Sequence, residues 1–200
     1  RPHRFFKPVR SVYWLYNSLM PELILLVRGG AAILWLSWQT FRLSFWHGLP
    51  RLFAFCAVLA LGVLNLQRWF ENPFSWNQLI SWPLLLASLG LVLHAVRLLR
   101  QIGKPQPGGF EATTRLVTRG AYRFIRHPMY ASLLLLAWGI CFKAGAQHAA
   151  PLLTNLALAG FASLCLYLTA RVEERENLRR FGEEYRAYMR ETKRFIPFLF

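Results

Sequence analysis

Long stretches of this chain carry almost nothing but apolar side chains, and that limits its fold more than any motif does. Five such segments cover residues 23–41, 52–66, 79–99, 130–146 and 151–170. Several approach the ~20 residues that a helix needs to cross a bilayer. In hydrocarbon every backbone N–H and C=O must be satisfied internally, which leaves helices as the spanning form here. The predicted fold is therefore all-α: an integral membrane helical bundle of about five transmembrane segments, multi-pass, with a cytoplasmic C-terminal helix. A content of 55% hydrophobic residues with eight Trp exceeds what a soluble bundle of 200 residues requires. The first segment is interrupted by Arg28 and Gly29-Gly30, and the second is short. A tilted, interfacial or re-entrant course is open to either.

Charge sharpens this reading. A net +15 suggests nucleic acid or anionic lipid when taken alone. In a chain of apolar spans the same excess marks cytoplasmic segments beside anionic headgroups. No aromatic-interleaved basic module accompanies it, so membrane lipids are expected as partners and nucleic acid is not. The linker 100–129 carries Arg100, Lys104, Arg115, Arg119, Arg123 and Arg126, and eight more Lys and Arg follow Ala170. Both regions are expected on the cytoplasmic side, with the fourth and fifth segments forming a hairpin whose outer turn lies near Gln147-His148. Five spans would place the basic N-terminus outside, against the rule, and that conflict stays open. No A-x-A-like cleavage site follows Arg1, Arg4, Lys7 and Arg10, so no signal peptide is expected.

All nine acids are Glu, and six of them fall between Glu173 and Glu191. Carboxylate chemistry is thereby confined to one stretch, and no metal centre is expected. Cys56, Cys141 and Cys165 stand singly in apolar runs, as small core or lipid-facing residues do. The linker holds Gly103, Pro105, Pro107, Gly108 and Gly109, which is loop chemistry. A connection of this length is unusual unless it is functional. The chain divides into residues 1–99, N-terminal spans, and 100–200, a core of linker, hairpin and C-terminal helix, within one domain. The spacing predicts a helix continuing from the fifth span over 169–192, ended by Pro197. Glu174, Leu178, Phe181, Tyr185 and Tyr188 share its apolar face. Glu176, Arg180 and Glu184 fall elsewhere, as solvent partners.

Two local signals carry chemistry. Arg126-His127-Pro128-Met129-Tyr130 sits where the basic linker enters a hydrophobic helix, and Pro suits the first turn of a helix. Such a turn presents the His ring at the interface, available to a ligand. A juxtamembrane anchor, with Arg and His on headgroups and Tyr in the aromatic belt, reads equally well from these residues. Glu173-Glu174 lies at the junction of the last span and the tail, where carboxylates are costly and functional by default. Simple pairing with Arg171 or Arg175 is the competing account.

In combination, these motifs resemble a known family. Arg126 to Tyr130, Glu173-Glu174, Phe181-Gly182-Glu183-Glu184-Tyr185, Pro197 and the approach Leu116-Val117-Thr118-Arg119-Gly120-Ala121-Tyr122 look like the isoprenylcysteine carboxyl methyltransferases. The resemblance covers about residues 90–197. The phospholipid N-methyltransferases share a shorter version, a Pro-Met-Tyr turn with a Glu-Glu pair. The resemblance implies transfer of a methyl group from S-adenosylmethionine to a lipophilic acceptor that enters from the bilayer, in an active site facing the cytoplasm. It places the donor on Thr114, Arg115, Leu116, Val117, Tyr122, His127, Pro128, Met129, Tyr130 and Glu173. Glu174 matches the second acid of the phospholipid enzymes, and Glu174 or Arg171 is expected to face the acceptor as the catalytic groups.

Two positions depart from the pattern. Ser132 replaces the glycine that closes the family's turn, which is expected to loosen helix packing there. Counting back from Gly182, the arginine that orients a prenylcysteine carboxylate falls at Thr169. Arg171, two residues on, points about 160° away around a helix. A different acceptor is expected: an amine, a thiol or another carboxyl on a small lipophilic molecule. The rival readings are a membrane sterol reductase using NADPH, which has further spans, and a non-catalytic scaffold or lipid-binding protein.

Overall fold

The computed structural model describes residues 9–41, 45–104, 113–145 and 149–199, with the side chains of 9–18, 39–40 and 149–150 excepted. The basic start of the chain, Pro105 to Gly109 of the linker and the turn at Gln147-His148 lie outside these residues. Among the described residues there are five α-helices: α1 Val9–Phe41, α2 Phe45–Leu64, α3 Trp76–Leu98, α4 Pro128–Cys141 and α5 Ala149–Glu191. Four of them contain stretches long and apolar enough to cross a membrane: Leu19–Trp38, Phe45–Leu64, Trp76–Gly103 and the start of Pro151–Glu191. The fourth helix is apolar but only 14 residues long. Among the described residues there is no strand, only an isolated parallel bridge between Ile125 and Lys193. The protein is an all-α helical membrane bundle.

Helix α2 packs on α5 and α3 on α4, while α1 leans on α2. Lipid tails are as apolar as leucine, so close approach of small residues and interhelical hydrogen bonds drive association. The α2–α5 interface uses Ala54, Ala57, Ala159 and Ala162, all buried. A Cβ on Gly139 of α4 would lie 2.9 Å from Leu85 of α3, and one on Gly29 of α1 would lie 2.6 Å from Leu59 of α2. The hydroxyls of Ser81 and Ser88 in α3 donate to the carbonyls of Gly139 and Ser132 in α4, each at 2.7 Å. Ser132 is buried, and its own hydroxyl donates to the Met129 carbonyl. The contact between α3 and α4 at this position thus runs through the Ser132 backbone carbonyl, and the serine hydroxyl stays within α4. Many large apolar side chains of α1, among them Leu23, Leu26, Leu34 and Trp38, are exposed.

The end of the molecule away from the linker holds a separate polar knot. Asn65 and Asn155 exchange amide hydrogen bonds at 3.1 and 2.9 Å. The fully buried Lys143 donates to Gln78 at 2.7 Å and sits 3.8 Å from the Trp82 ring centre. This satisfies a buried cation by hydrogen bonds and an aromatic face.

At 43 residues, α5 would extend ~65 Å if straight, about twice a hydrocarbon core, so its second half leaves the bilayer. It is not straight. Gly182 has φ 56° and ψ −127°, a conformation that only glycine adopts freely, and a Cβ there would meet nothing within 4 Å. The expected uninterrupted helix is thus two helices joined at Gly182. The stripe survives the bend: Glu174, Tyr185 and Tyr188 are buried, and Leu178 and Phe181 are half-buried. The helix also ends at Glu191, before Pro197, and the chain then turns back along the bundle.

Candidate functional site

The linker reaches the site by being pinned at both ends of its described part. After α3 the chain passes through a π-turn, Leu99–Gly103, and a left-handed Lys104. The amides of Thr114 and Arg115 donate to the Gly103 carbonyl, and the Thr114 hydroxyl donates to Lys104 O at 3.2 Å. A second pin is Gly120, with φ 59°, where a Cβ would lie 2.5 Å from His94 Nε2 of α3. That nitrogen accepts the Ala121 amide at 3.2 Å. Tyr122 is tied to α5, its carbonyl accepting the Tyr188 hydroxyl at 2.6 Å, and burial raises its phenol above the ordinary range.

These constraints bring the linker, the start of α4 and the junction of α5 around one cavity of about 590 Å³. Such a volume suits a nucleoside-sized ligand. Its wall includes Leu116, Val117, Tyr122, His127, Pro128, Met129, Tyr130 and Glu173, eight of the ten positions expected to hold the donor. Thr114 and Arg115 are exposed and lie outside it, because Thr114 is spent on the end of α3. Phe181 and Tyr185 add aromatic surface, and Trp35, Leu36, Arg51 and Phe55 close the side toward α1 and α2.

His127 stands between the two acids. Its Nδ1 is 3.8 Å from Glu173 Oε2 and its Nε2 is 3.4 Å from Glu174 Oε1. The ring stacks on Tyr130 with centroids 5.5 Å apart. Among the described residues Glu173 is the one carboxylate in the wall, and it remains a quarter exposed.

The two expected catalytic groups sit elsewhere. Glu174 is buried and does not line the cavity. Its Oε1 accepts Arg126 Nε at 2.9 Å and Arg194 Nε at 3.1 Å, and its Oε2 accepts Arg194 Nη2 at 2.8 Å. These donors, with His127, occupy the carboxylate, and its hydrogen bonds hold the Arg194 guanidinium above its ordinary range. Neither Arg171 nor Arg175 is its partner. Arg171 is exposed, over the ring of Tyr167. Both departures have one cause: α5 turns Glu173 inward and Glu174 toward the returning tail, which leaves Arg171 on the outer face.

His47 and Arg51 of α2 are parts of the site that sequence reading misses. His47 is buried, with Nε2 3.1 Å from the Tyr130 hydroxyl and Nδ1 3.2 Å from Glu176 Oε2. A carboxylate only accepts, so Nδ1 carries a proton. Glu176 thus has an inward partner, against its expected place among solvent-facing groups. Arg180 is exposed, as expected, and donates to the Thr113 carbonyl at 3.3 Å. The available signal was a His and an Arg four residues apart, one face of a helix start, just before an apolar run.

Residues 32–192 match the family described as "Protein of unknown function (DUF1295)". The chain belongs to that family. Among curated relatives, the DUF1295 chain is 28% identical over 120 residues to methanethiol S-methyltransferase 1 of Bradyrhizobium diazoefficiens, covering 58% of this chain and 39% of the relative. It is 27% identical over 175 residues to a methanethiol S-methyltransferase of Pseudomonas deceptionensis, covering 82% and 53%. With the one of Crocosphaera subtropica it shares 24% over 199 residues, covering 96% and 63%. The chain therefore spans less than two thirds of the length of each.

Proposed function

We propose that this DUF1295 protein is a membrane methyltransferase that uses S-adenosylmethionine, of the isoprenylcysteine carboxyl methyltransferase-like kind. The observation that carries the reading is a largely apolar and aromatic cavity with one carboxylate among its described wall residues, Glu173, beside His127. A carboxylate in such a wall suits the amino and hydroxyl groups of a ligand whose other parts are apolar and aromatic. Tyr122, Phe181 and Tyr185 would flank the nucleoside, and Glu173 would take its amino or hydroxyl groups. The three relatives' names support the activity and suggest a small thiol as acceptor. The missing arginine at Thr169, whose hydroxyl bonds back to Cys165 O, weakens the case for a prenylcysteine carboxylate.

When bound, the donor supplies an electrophilic methyl group on a sulfonium. The protein's share is position and electrostatics. A thiol acceptor that gains a methyl group must lose its proton. Tyr130 lines the cavity and is in reach to take that proton at its oxygen while passing its own to His47 Nε2. The Nδ1 proton of His47 then moves to the part-exposed Glu176. Arg51, near Tyr130 and Glu173, favours the anionic acceptor electrostatically. The cavity end would face the cytoplasm, beside the basic linker and tail, and acceptors would enter from the bilayer.

The test is a thermal-shift and calorimetric screen in detergent with S-adenosylhomocysteine and NADPH, then labelled donor with small thiols and a total lipid extract. Stabilisation by S-adenosylhomocysteine with label on a small thiol is the expected result. NADPH binding would replace the reading by a reductase, and binding of neither by a scaffold.

A further inference from the structure

The eight described residues after α5 return to the His-Pro turn and run beside it. The Arg126 amide donates to Lys193 O at 2.7 Å, the His127 amide to Arg194 O at 3.1 Å, and the Lys193 amide to Phe124 O at 3.1 Å. Phe195, buried, lies 6.1 Å from the His127 ring centre. This strap also delivers Arg194 to Glu174, with the guanidinium 5.1 Å from the Tyr167 ring centre. Two oxygens met by two nitrogens of one guanidinium form a planar fork that lysine cannot reproduce.

We propose that Arg194 is a positioning residue of the donor site: from the C-terminal strap it orients Glu174, which in turn holds the His127 ring in the cavity wall. Glu174 has no place in the wall, and its Oε1 is the acceptor 3.4 Å from His127 Nε2. Arg126 cannot hold Glu174 in this way alone. Its Nε reaches only Oε1, and its Nη1 is committed to the carbonyls of Met189 and Thr192. Arg194 is what fixes the second oxygen, and so the rotation of the carboxylate about its own axis. The strap thus acts on His127 twice, through a backbone carbonyl and through this relay. The inference rests on the methyltransferase reading for its ligand, but the strap can be examined without it.

The experiment compares the wild type with Arg194→Lys, Arg194→Gln and the surface control Arg186→Gln, whose ion pair with Glu183 is exposed. S-adenosylhomocysteine affinity is measured by calorimetry, and amide hydrogen exchange is measured over residues 124–131. Arg194→Gln is expected to bind at least tenfold more weakly, Arg194→Lys to fall between, and exchange at Arg126 and His127 to rise in the same order. The control should match the wild type in both. Donor affinity within twofold of wild type in Arg194→Gln overturns the proposal. So does equal loss in Lys and Gln, which would reduce Arg194 to a charge or a tail anchor. If the wild type itself takes up no S-adenosylhomocysteine, the methyltransferase reading fails. Exchange then decides the strap alone: unchanged protection in Arg194→Gln overturns it, and raised exchange sustains it.

Discussion

Two adjacent glutamates in one helix have opposite environments, and their expected effects differ accordingly. Glu173 faces the cavity, a quarter exposed, with His127 at 3.8 Å and His47 at 4.0 Å, so Glu173→Gln should leave the fold intact. Its S-adenosylhomocysteine affinity should drop at least tenfold by calorimetry, and an unchanged affinity would remove Glu173 from the site. Glu174 meets two arginines and a histidine, and breaking a buried pair of this kind costs about 3–5 kcal/mol. Glu174→Gln should therefore lower the unfolding temperature in detergent as well as the affinity. His47→Phe removes the link from Tyr130 to Glu176. Turnover should fall and depend more steeply on pH while donor affinity stays near wild type. The pairing of acids was visible in the chain, but the difference between them was not. Adjacent residues on a helix point about 100° apart, and only the neighbouring elements determine which direction is cavity and which is tail.

At the scale of elements, glycines mark where backbone geometry and close approach matter. Gly182→Ala places a side chain in open space but in a sparsely populated conformation, φ 56° and ψ −127°, for about 1–3 kcal/mol of strain. The expected outcome is a modest loss of stability and a larger loss of donor affinity, since Phe181 and Tyr185 flank the bend. Gly139→Leu would force α4 off Leu85 of α3, and overpacking of this kind costs about 1–3 kcal/mol. A lower thermal midpoint should show it. The helical stripe from Glu174 to Tyr188 was legible from its spacing, because burial follows that face on both sides of the bend. The bend itself was not legible, since one glycine in a helical pattern can be tolerated without a break.

Across the whole molecule, the helices place the end of α1, the start of α2, the end of α3, the start of α4 and the second half of α5 at one end, around the cavity. The proposed cytoplasmic position of that end gives a direct expectation. In a cysteine-free background, Glu183→Cys should react with an impermeant maleimide only after the inner face is opened. Asn72→Cys, between α2 and α3, should react from the opposite side. Reversed labelling would refute the orientation. Apolar run length and the bilayer's demand for internal hydrogen bonding were enough to determine an all-helical membrane bundle from the chain alone. The family resemblance named eight residues of the cavity wall, on the linker, the His-Pro turn and the last span. Tertiary structure alone decided that His47 and Arg51 belong beside Tyr130, that Glu174 turns away from the cavity, and that the tail returns to hold the His-Pro turn. Those relations join residues far apart in the chain through side-chain direction and packing between helices, which run length and local spacing do not encode.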